Sequence, residues 1–265
     1  MKTKTITLFA LTMILLSSGC ISQKEEYRFK NDKTFLSGFM CLREKAFSEN
    51  ISPKNVTKAP SYNDDIAYLR VCYPIDDLSG NGIEAPNYEA VTTLSDIERI
   101  VVEYGAQLSI VEDPTVSEDI IAVSEESIQI AIQPMIQQSK QYLYSLGVND
   151  SDIAEMLEDA DANESVLVPF SIALVESDIH YLTQRKARRN SLIPTAYAAL
   201  SWGDAGACAL EALGFDVVLA LDRSGASVLT KAAMKKALKA VAKRCVSYIG
   251  VAIFVIDFGI CLGHA

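Results

Sequence analysis

Histidine is nearly absent from this sequence, which has only His180 and His264 among its 265 residues. Metal sites and acid–base catalysis near neutral pH use histidine more than any other side chain. The sequence also has no HExxH, CxxC, GxSxG or P-loop motif. We therefore expect no metal, no cofactor and no enzymatic activity, although pairs among the many carboxylates keep an enzyme open as a hypothesis.

Basic residues are almost missing from the middle of the chain. Residues 108–179 contain 15 acidic residues and Lys140, a net charge of −14. Residues 1–107 contain 12 basic and 14 acidic residues (−2), and residues 180–265 contain 11 basic and 5 acidic residues (+6). Such blocks face solvent, each other or a partner. Stacking aromatics are not interleaved with the basic residues, so we expect no nucleic-acid partner.

Long apolar runs are scarce as well, and the most apolar one closes the chain. As a helix, residues 246–263 span about 27 Å, against about 30 Å for the hydrocarbon core of a bilayer. Asp257 costs roughly 2.5–3.5 kcal/mol there, which brings the insertion free energy near zero. We expect a buried central helix of a bundle, with Asp257 paired to a Lys or Arg. Conditional insertion and a permanent span, which the spacing Gly259-x-x-x-Gly263 would suit, are the alternatives.

The first 20 residues have the order of a secretory signal. A basic start, "MKTK", precedes the apolar "TITLFALTMILL" and the small residues before Cys20. This segment resembles a bacterial lipoprotein signal, which implies removal of residues 1–19 and acylation of Cys20, with palmitate among the chains. Ile21 in place of Asp implies sorting to the outer membrane. A plain secretory signal or an uncleaved anchor is the alternative.

Apolar residues at helical spacing dominate from residue 93 onward. They predict a mainly α fold, an irregular helical bundle with a small amount of strand near 66–73. Ser95 and Glu98 have the spacing of a capping box, and Ile120 and Ile121 fall in the next predicted helix. The predicted organisation is a signal peptide (1–19), a lipid tether (20–33), an N-terminal mixed region (34–112), an acidic helical region (113–183), a basic linker (184–192) and a C-terminal module (193–265).

The C-terminal module is predicted to contain three helices, at 204–222, 228–245 and 246–263. The second is amphipathic and cationic, with lysines at intervals of four residues along one face. These lysines and Asp257 form a candidate membrane or partner face: Lys231, Lys235, Lys239, Lys243 and Asp257. The acidic helices are expected to pack against this module and to screen its charge.

Five cysteines remain if Cys20 is acylated, an odd number that predicts at least one free thiol beside a bridge. An antiparallel pairing of helices 204–222 and 228–245 brings Cys208 to within about one turn of Cys245. The sequence therefore predicts a Cys208–Cys245 disulfide, and less directly Cys41–Cys72. Burial of these small side chains without a bridge is the alternative.

Asp159, Asp161 and Asn163 have the spacing of the first ligands of a calcium loop. Position six of that loop is Glu164 rather than Gly, and position twelve is Phe170 rather than Glu. We therefore interpret the segment as a turn at the end of a helix.

These features predict a lipid-anchored protein of the bacterial cell envelope that acts as a non-catalytic binding or structural module. Its expected partners are membrane lipid, through acylated Cys20, and an envelope protein. The alternative is a latent membrane-active protein. In composition only, its C-terminal module resembles helical bacteriocins and pore-forming hairpins.

Overall fold

The computed structural model describes residues 32–48, 66–73, 93–111, 120–175, 177, 208 and 230–263. The helices, in chain order, are α1 (32–48), α2 (Leu94–Tyr104), α3 (Glu125–Ser145), α4 (Asp150–Ala160), α5 (167–175), α6 (Lys231–Ala242) and α7 (Tyr248–Cys261). The strands are β1 (Ile66–Cys72), β2 (Gln107–Val111) and β3 (Ile120–Ser124). The fold is mainly helical with a small sheet, as the sequence predicted.

The three strands form one antiparallel sheet in the order β2-β1-β3. The strand predicted near 66–73 is confirmed, and it is the central strand, with Leu69 opposite Ile110 on one side and Ile121 on the other. The prediction that Ile120 and Ile121 belong to a helix is wrong. The β-branched run Ile-Ile-Ala-Val favours a strand, and the helix begins only after Ser124, whose hydroxyl accepts a hydrogen bond from the Ser127 amide.

The N-cap of helix α2 lies two residues before the predicted one. Thr93 is the N-cap, its hydroxyl accepts from the Asp96 amide, and the Asp96 carboxylate accepts from the Thr93 amide. The predicted Ser95–Glu98 box is therefore wrong. Both pairs have the same spacing, and the cap at Thr93 puts Leu94 into the core and leaves the Glu98 side chain free for another contact.

The predicted turn after α4 is present and has a local cause. Asp161 has a left-handed backbone (φ 50°) at the end of α4. The Asn163 side chain then accepts a hydrogen bond from the Ser165 amide and starts a 3-10 turn, Glu164–Val166, that leads into α5. These polar side chains satisfy backbone groups at helix ends, in agreement with the interpretation as turn chemistry.

Helix α7 lies at the centre of the described core. Eight of its fourteen residues are buried, and it packs against α2, α3, β2 and the 3-10 turn before α5. The apolar run at the end of the chain is therefore a core helix. The predicted helices at 228–245 and 246–263 are confirmed as α6 and α7, whereas 204–222 lies outside the described residues except for Cys208.

None of the helices in the described ranges combines the length and apolarity needed to cross a bilayer.

Candidate functional site

The cationic helix α6 packs directly against the acidic helix α4. The Lys231 ammonium donates to the Asp152 carboxylate at 2.6 Å. The Lys235 ammonium lies 2.5 Å from Glu155 Oε1 and 3.0 Å from Asp159 Oδ2. An acidic helix thus covers one flank of the C-terminal cations, as the charge blocks predicted.

These contacts shift the pKa values of the groups that make them. The hydrogen bond from Lys231 lowers the pKa of Asp152, and the Asn149 amide adds to this effect. The hydrogen bond from Lys235 lowers the pKa of Asp159. The carboxylates of Glu155 and Asp159 raise the pKa of Lys235 in return. All these groups are in contact with water, so solvent screens the attraction strongly.

The predicted lysine face is divided between two environments. Lys231 and Lys235 form ion pairs with α4, although the Lys231 side chain is 65% exposed, whereas the exposed side chains of Lys239 and Lys243 form no ion pair with the described residues. The structure adds Lys236, also exposed, which the four-residue spacing did not single out. A helical-wheel projection places Lys243 between Lys236 and Lys239 in direction, opposite the buried face of α6.

Asp257, the fifth residue of the predicted face, is exposed on α7. The buried residues of α7 cover most but not all of the helix circumference, and Asp257 lies on the remaining side with half-buried Ile253 and Ile260. Ionised carboxylates are costly to bury, which explains why the acidic residue of this helix faces water.

A buried ion pair fixes α7 to the N-terminal helices. Arg43 of α1 is 1% exposed, its Nε donates to the carbonyl oxygen of Val255 at 3.2 Å, and its guanidinium pairs with Glu98 of α2. Burial raises the pKa of Glu98, and the charge of Arg43 opposes that shift. The ring of Phe47 lies below the guanidinium, 4.7 Å from its carbon.

Gly259 makes this contact possible. A Cβ atom added there would overlap three atoms of the Arg43 guanidinium group. Gly263 has a different role, because its left-handed backbone (φ 71°) ends α7. The two glycines of the spacing Gly259-x-x-x-Gly263 therefore have separate roles: the first lets the Arg43 side chain approach closely, and the second lies at the end of α7. Sequence reasoning missed Arg43 as its partner, because the two lie 216 positions apart in the chain.

The cysteine predictions are wrong in their pairing. Cys208 forms a disulfide with Cys261, with 5.5 Å between the Cα atoms. Cys245 is a buried free thiol, and burial raises its pKa to about 12. Cys41 and Cys72 are free and exposed, so the predicted Cys41–Cys72 bridge is also absent. The Cys208–Cys245 prediction used the spacing along an assumed hairpin and did not consider α7 as the neighbour of Cys208.

Two further predictions receive no structural test here. Cys20, the proposed acylation site, and the basic linker 184–192 both lie outside the described residues. Within the described part of the chain, no group of three or more metal-ligating side chains is close enough to hold a metal ion. The candidate site that the geometry offers is therefore the charged surface of α6 and its contact with α4.

No protein-family model, curated protein or solved structure matches this chain.

Proposed function

We propose that the protein is a lipid-anchored component of the bacterial cell envelope, acylated at Cys20, whose folded part is a non-catalytic binding or structural module. The observation that carries this proposal is the order of the first 20 residues, a basic start, an apolar segment and small residues before Cys20. Two or three acyl chains give stable anchoring, whereas one chain binds only reversibly. Ile21 favours the outer membrane as the destination.

The position of α1 limits the length of the proposed tether. Asp32 is fully buried, and its carboxylate accepts a hydrogen bond from the Tyr142 hydroxyl at 2.7 Å. A tether from Cys20 therefore ends before Asp32, two residues earlier than the boundary at 33. Its reach is about 40 Å at full extension. The folded module would stay close to the membrane that holds its lipid.

Metabolic labelling with a palmitate analogue tests the anchor. We expect label on the wild-type chain and none on Cys20→Ala, which should leave the membrane fraction or remain unprocessed. Cys41→Ala is the matched control, because Cys41 is an exposed free thiol that should carry no acyl chain. A Cys20→Ala chain that is cleaved normally and still partitions with the membrane would refute acylation as the anchor.

A latent membrane-active protein is the second candidate, favoured by the cationic helix α6 followed directly by the apolar helix α7. Release of α7 would require loss of the Arg43 contact, the Cys208–Cys261 bridge and the packing of its buried residues. This requirement weighs against an effector role. Dye-loaded anionic vesicles decide the matter: under the first proposal the full chain causes no leakage, with or without reductant, and leakage would favour the second.

A further inference from the structure

The outward face of α6 carries three cations that the acidic helix does not neutralise directly. Lys236, Lys239 and Lys243 are exposed, and none of their side chains forms an ion pair or hydrogen bond with another described residue. At about 100° per residue they fall within about 60° of one another. They therefore form one stripe that points away from the core.

An exposed apolar side chain lies next to this stripe. Val246 is 73% exposed, the most exposed large apolar residue in the described ranges. It belongs to the turn that joins α6 to α7 and follows Lys243 by three residues. Its neighbour Cys245 is buried and holds the turn against the core. We call these four residues, Lys236, Lys239, Lys243 and Val246, the cationic corner.

The acidic residues of α4 lie beside this corner rather than over it. Lys231 and Lys235 lie on the side of α6 that faces α4. They form ion pairs there with three acidic residues of α4, Asp152, Glu155 and Asp159. The charge of Lys239 contributes to the lowered pKa of Asp159, so this lysine of the stripe lies within electrostatic range of α4. Lys236 and Lys243 form no ion pair with a carboxylate in the described part of the chain.

We propose that the cationic corner docks on an anionic lipid surface, with its lysines at the headgroups and Val246 in the interface. Lipid suits this surface better than an acidic protein, because an apolar tip beside cations matches the boundary between headgroups and acyl chains. The net charge of −10 does not prevent docking. Charges more than about 10 Å from the membrane are largely screened at 0.1 M salt.

This proposal goes beyond the anchor and does not depend on acylation. The test uses the full chain carrying Cys20→Ala, so that a failure to dock and a failure to be acylated are separate results. Partitioning is measured by flotation with neutral phosphatidylcholine vesicles and with mixed phosphatidylcholine–phosphatidylglycerol vesicles. The N-terminal apolar segment contributes to both, so the ratio of the two partition coefficients isolates the electrostatic part.

We expect this ratio to fall on the order of 100-fold when the three lysines of the stripe are changed to Gln, since each contributes roughly fivefold near an anionic surface. The matched control changes three exposed cations on other helices, Lys33→Gln, Lys45→Gln and Arg99→Gln. It should leave most of the ratio intact. The urea midpoints of both triple variants confirm that the chains are folded.

A second substitution tests the apolar part of the corner. Val246→Trp should raise binding to the mixed vesicles several-fold, because Trp favours the membrane interface, and Val246→Ser should lower it. The proposal is overturned if the parent chain partitions equally into both vesicle types, or if the stripe variant and the control variant behave alike. Binding to polyglutamate without binding to mixed vesicles would also overturn it and would assign the corner to an acidic protein.

Discussion

Two charged contacts each join distant parts of the chain, and they differ in how far their side chains are exposed to solvent. Arg43 and Glu98 form an ion pair next to α7, and their side chains are 2% and 14% exposed. Lys235 meets Glu155 and Asp159 at the α4–α6 surface, where the side chains are 27%, 61% and 44% exposed. In the first contact the loss of one partner leaves a charge without water. In the second, water replaces the lost partner.

The same difference in exposure separates charges that stabilise the fold from charges that can bind a partner. Arg43 belongs to the core, because it donates a hydrogen bond to the Val255 carbonyl oxygen and its guanidinium lies where a side chain at residue 259 would be. The lysines of α6 are held weakly or not at all, and they remain able to bind something else. A charge is therefore informative about function here only where its burial and its partners are known.

The largest effect is expected from Glu98→Ala. It leaves the Arg43 guanidinium buried without its counter-charge, which should lower the free energy of unfolding by about 3–5 kcal/mol in urea denaturation. Glu103→Ala is the matched control on the same helix. Glu103 pairs with Arg99 at the surface, and its loss should cost no more than about 0.5 kcal/mol. Similar losses for both variants would remove the distinction between the two contacts.

Removal of the disulfide should have the next largest effect. Cys208 and Cys261 are separated by 53 positions. Replacing both with Ser should lower the free energy of unfolding by about 2–4 kcal/mol, because the unfolded chain regains the entropy of an open loop. Cys41→Ser, at an exposed free thiol, should leave stability unchanged.

Alkylation of the native chain tests the cysteine pairing directly. Cys41 and Cys72 should react with iodoacetamide without reductant, and Cys245 should react only after unfolding, because its thiol is buried and its pKa is raised to about 12. Peptide mapping that joins Cys208 to Cys245 instead of Cys261 would contradict the structure.

Gly259→Ala should be destabilising although alanine favours helices. The new methyl group overlaps the Arg43 side chain, and overpacking of this kind costs about 1–3 kcal/mol, against a gain in helix propensity of up to about 1 kcal/mol. In an Arg43→Leu background the overlapping atoms are gone, so the same substitution should become neutral or stabilising. Equal costs in both backgrounds would show that Gly259 does not serve Arg43.

The smallest effect is expected at the α4–α6 surface. Lys235→Gln should lower the urea midpoint slightly, by less than Gly259→Ala, and Lys243→Gln should not change it. The pKa values of Asp152 and Asp159 are lowered in the folded state. The stabilisation from the α4–α6 ion pairs is therefore complete above about pH 5 and is lost as the pH falls below about 3.9 towards the lowered values. A difference between Lys235→Gln and the parent chain that persists at pH 2 would contradict this account.

Much of the fold could be predicted from short-range patterns. The periodicity of α6 and α7, the β-branched strand at 66–72 and the turn chemistry after α4 each depend on neighbours within a few positions. The strands β2 and β3 were not predicted, because they are short and their pairing with β1 is a contact between distant residues. The capping box of α2 was predicted two residues too late, because two residue pairs with the same spacing occur there. Burial of Leu94 favours the earlier pair.

The mainly helical fold, the division of charge into an acidic middle and a basic end, and the apolar closing segment can all be read from the amino-acid sequence. These properties follow from composition and local spacing. Three features required the folded structure: the choice of lysines that pair with α4, the disulfide between Cys208 and Cys261, and the close approach of Arg43 to Gly259. These features depend on contacts between residues that are far apart in the sequence. Packing and desolvation at such contacts cannot be read from any local sequence pattern.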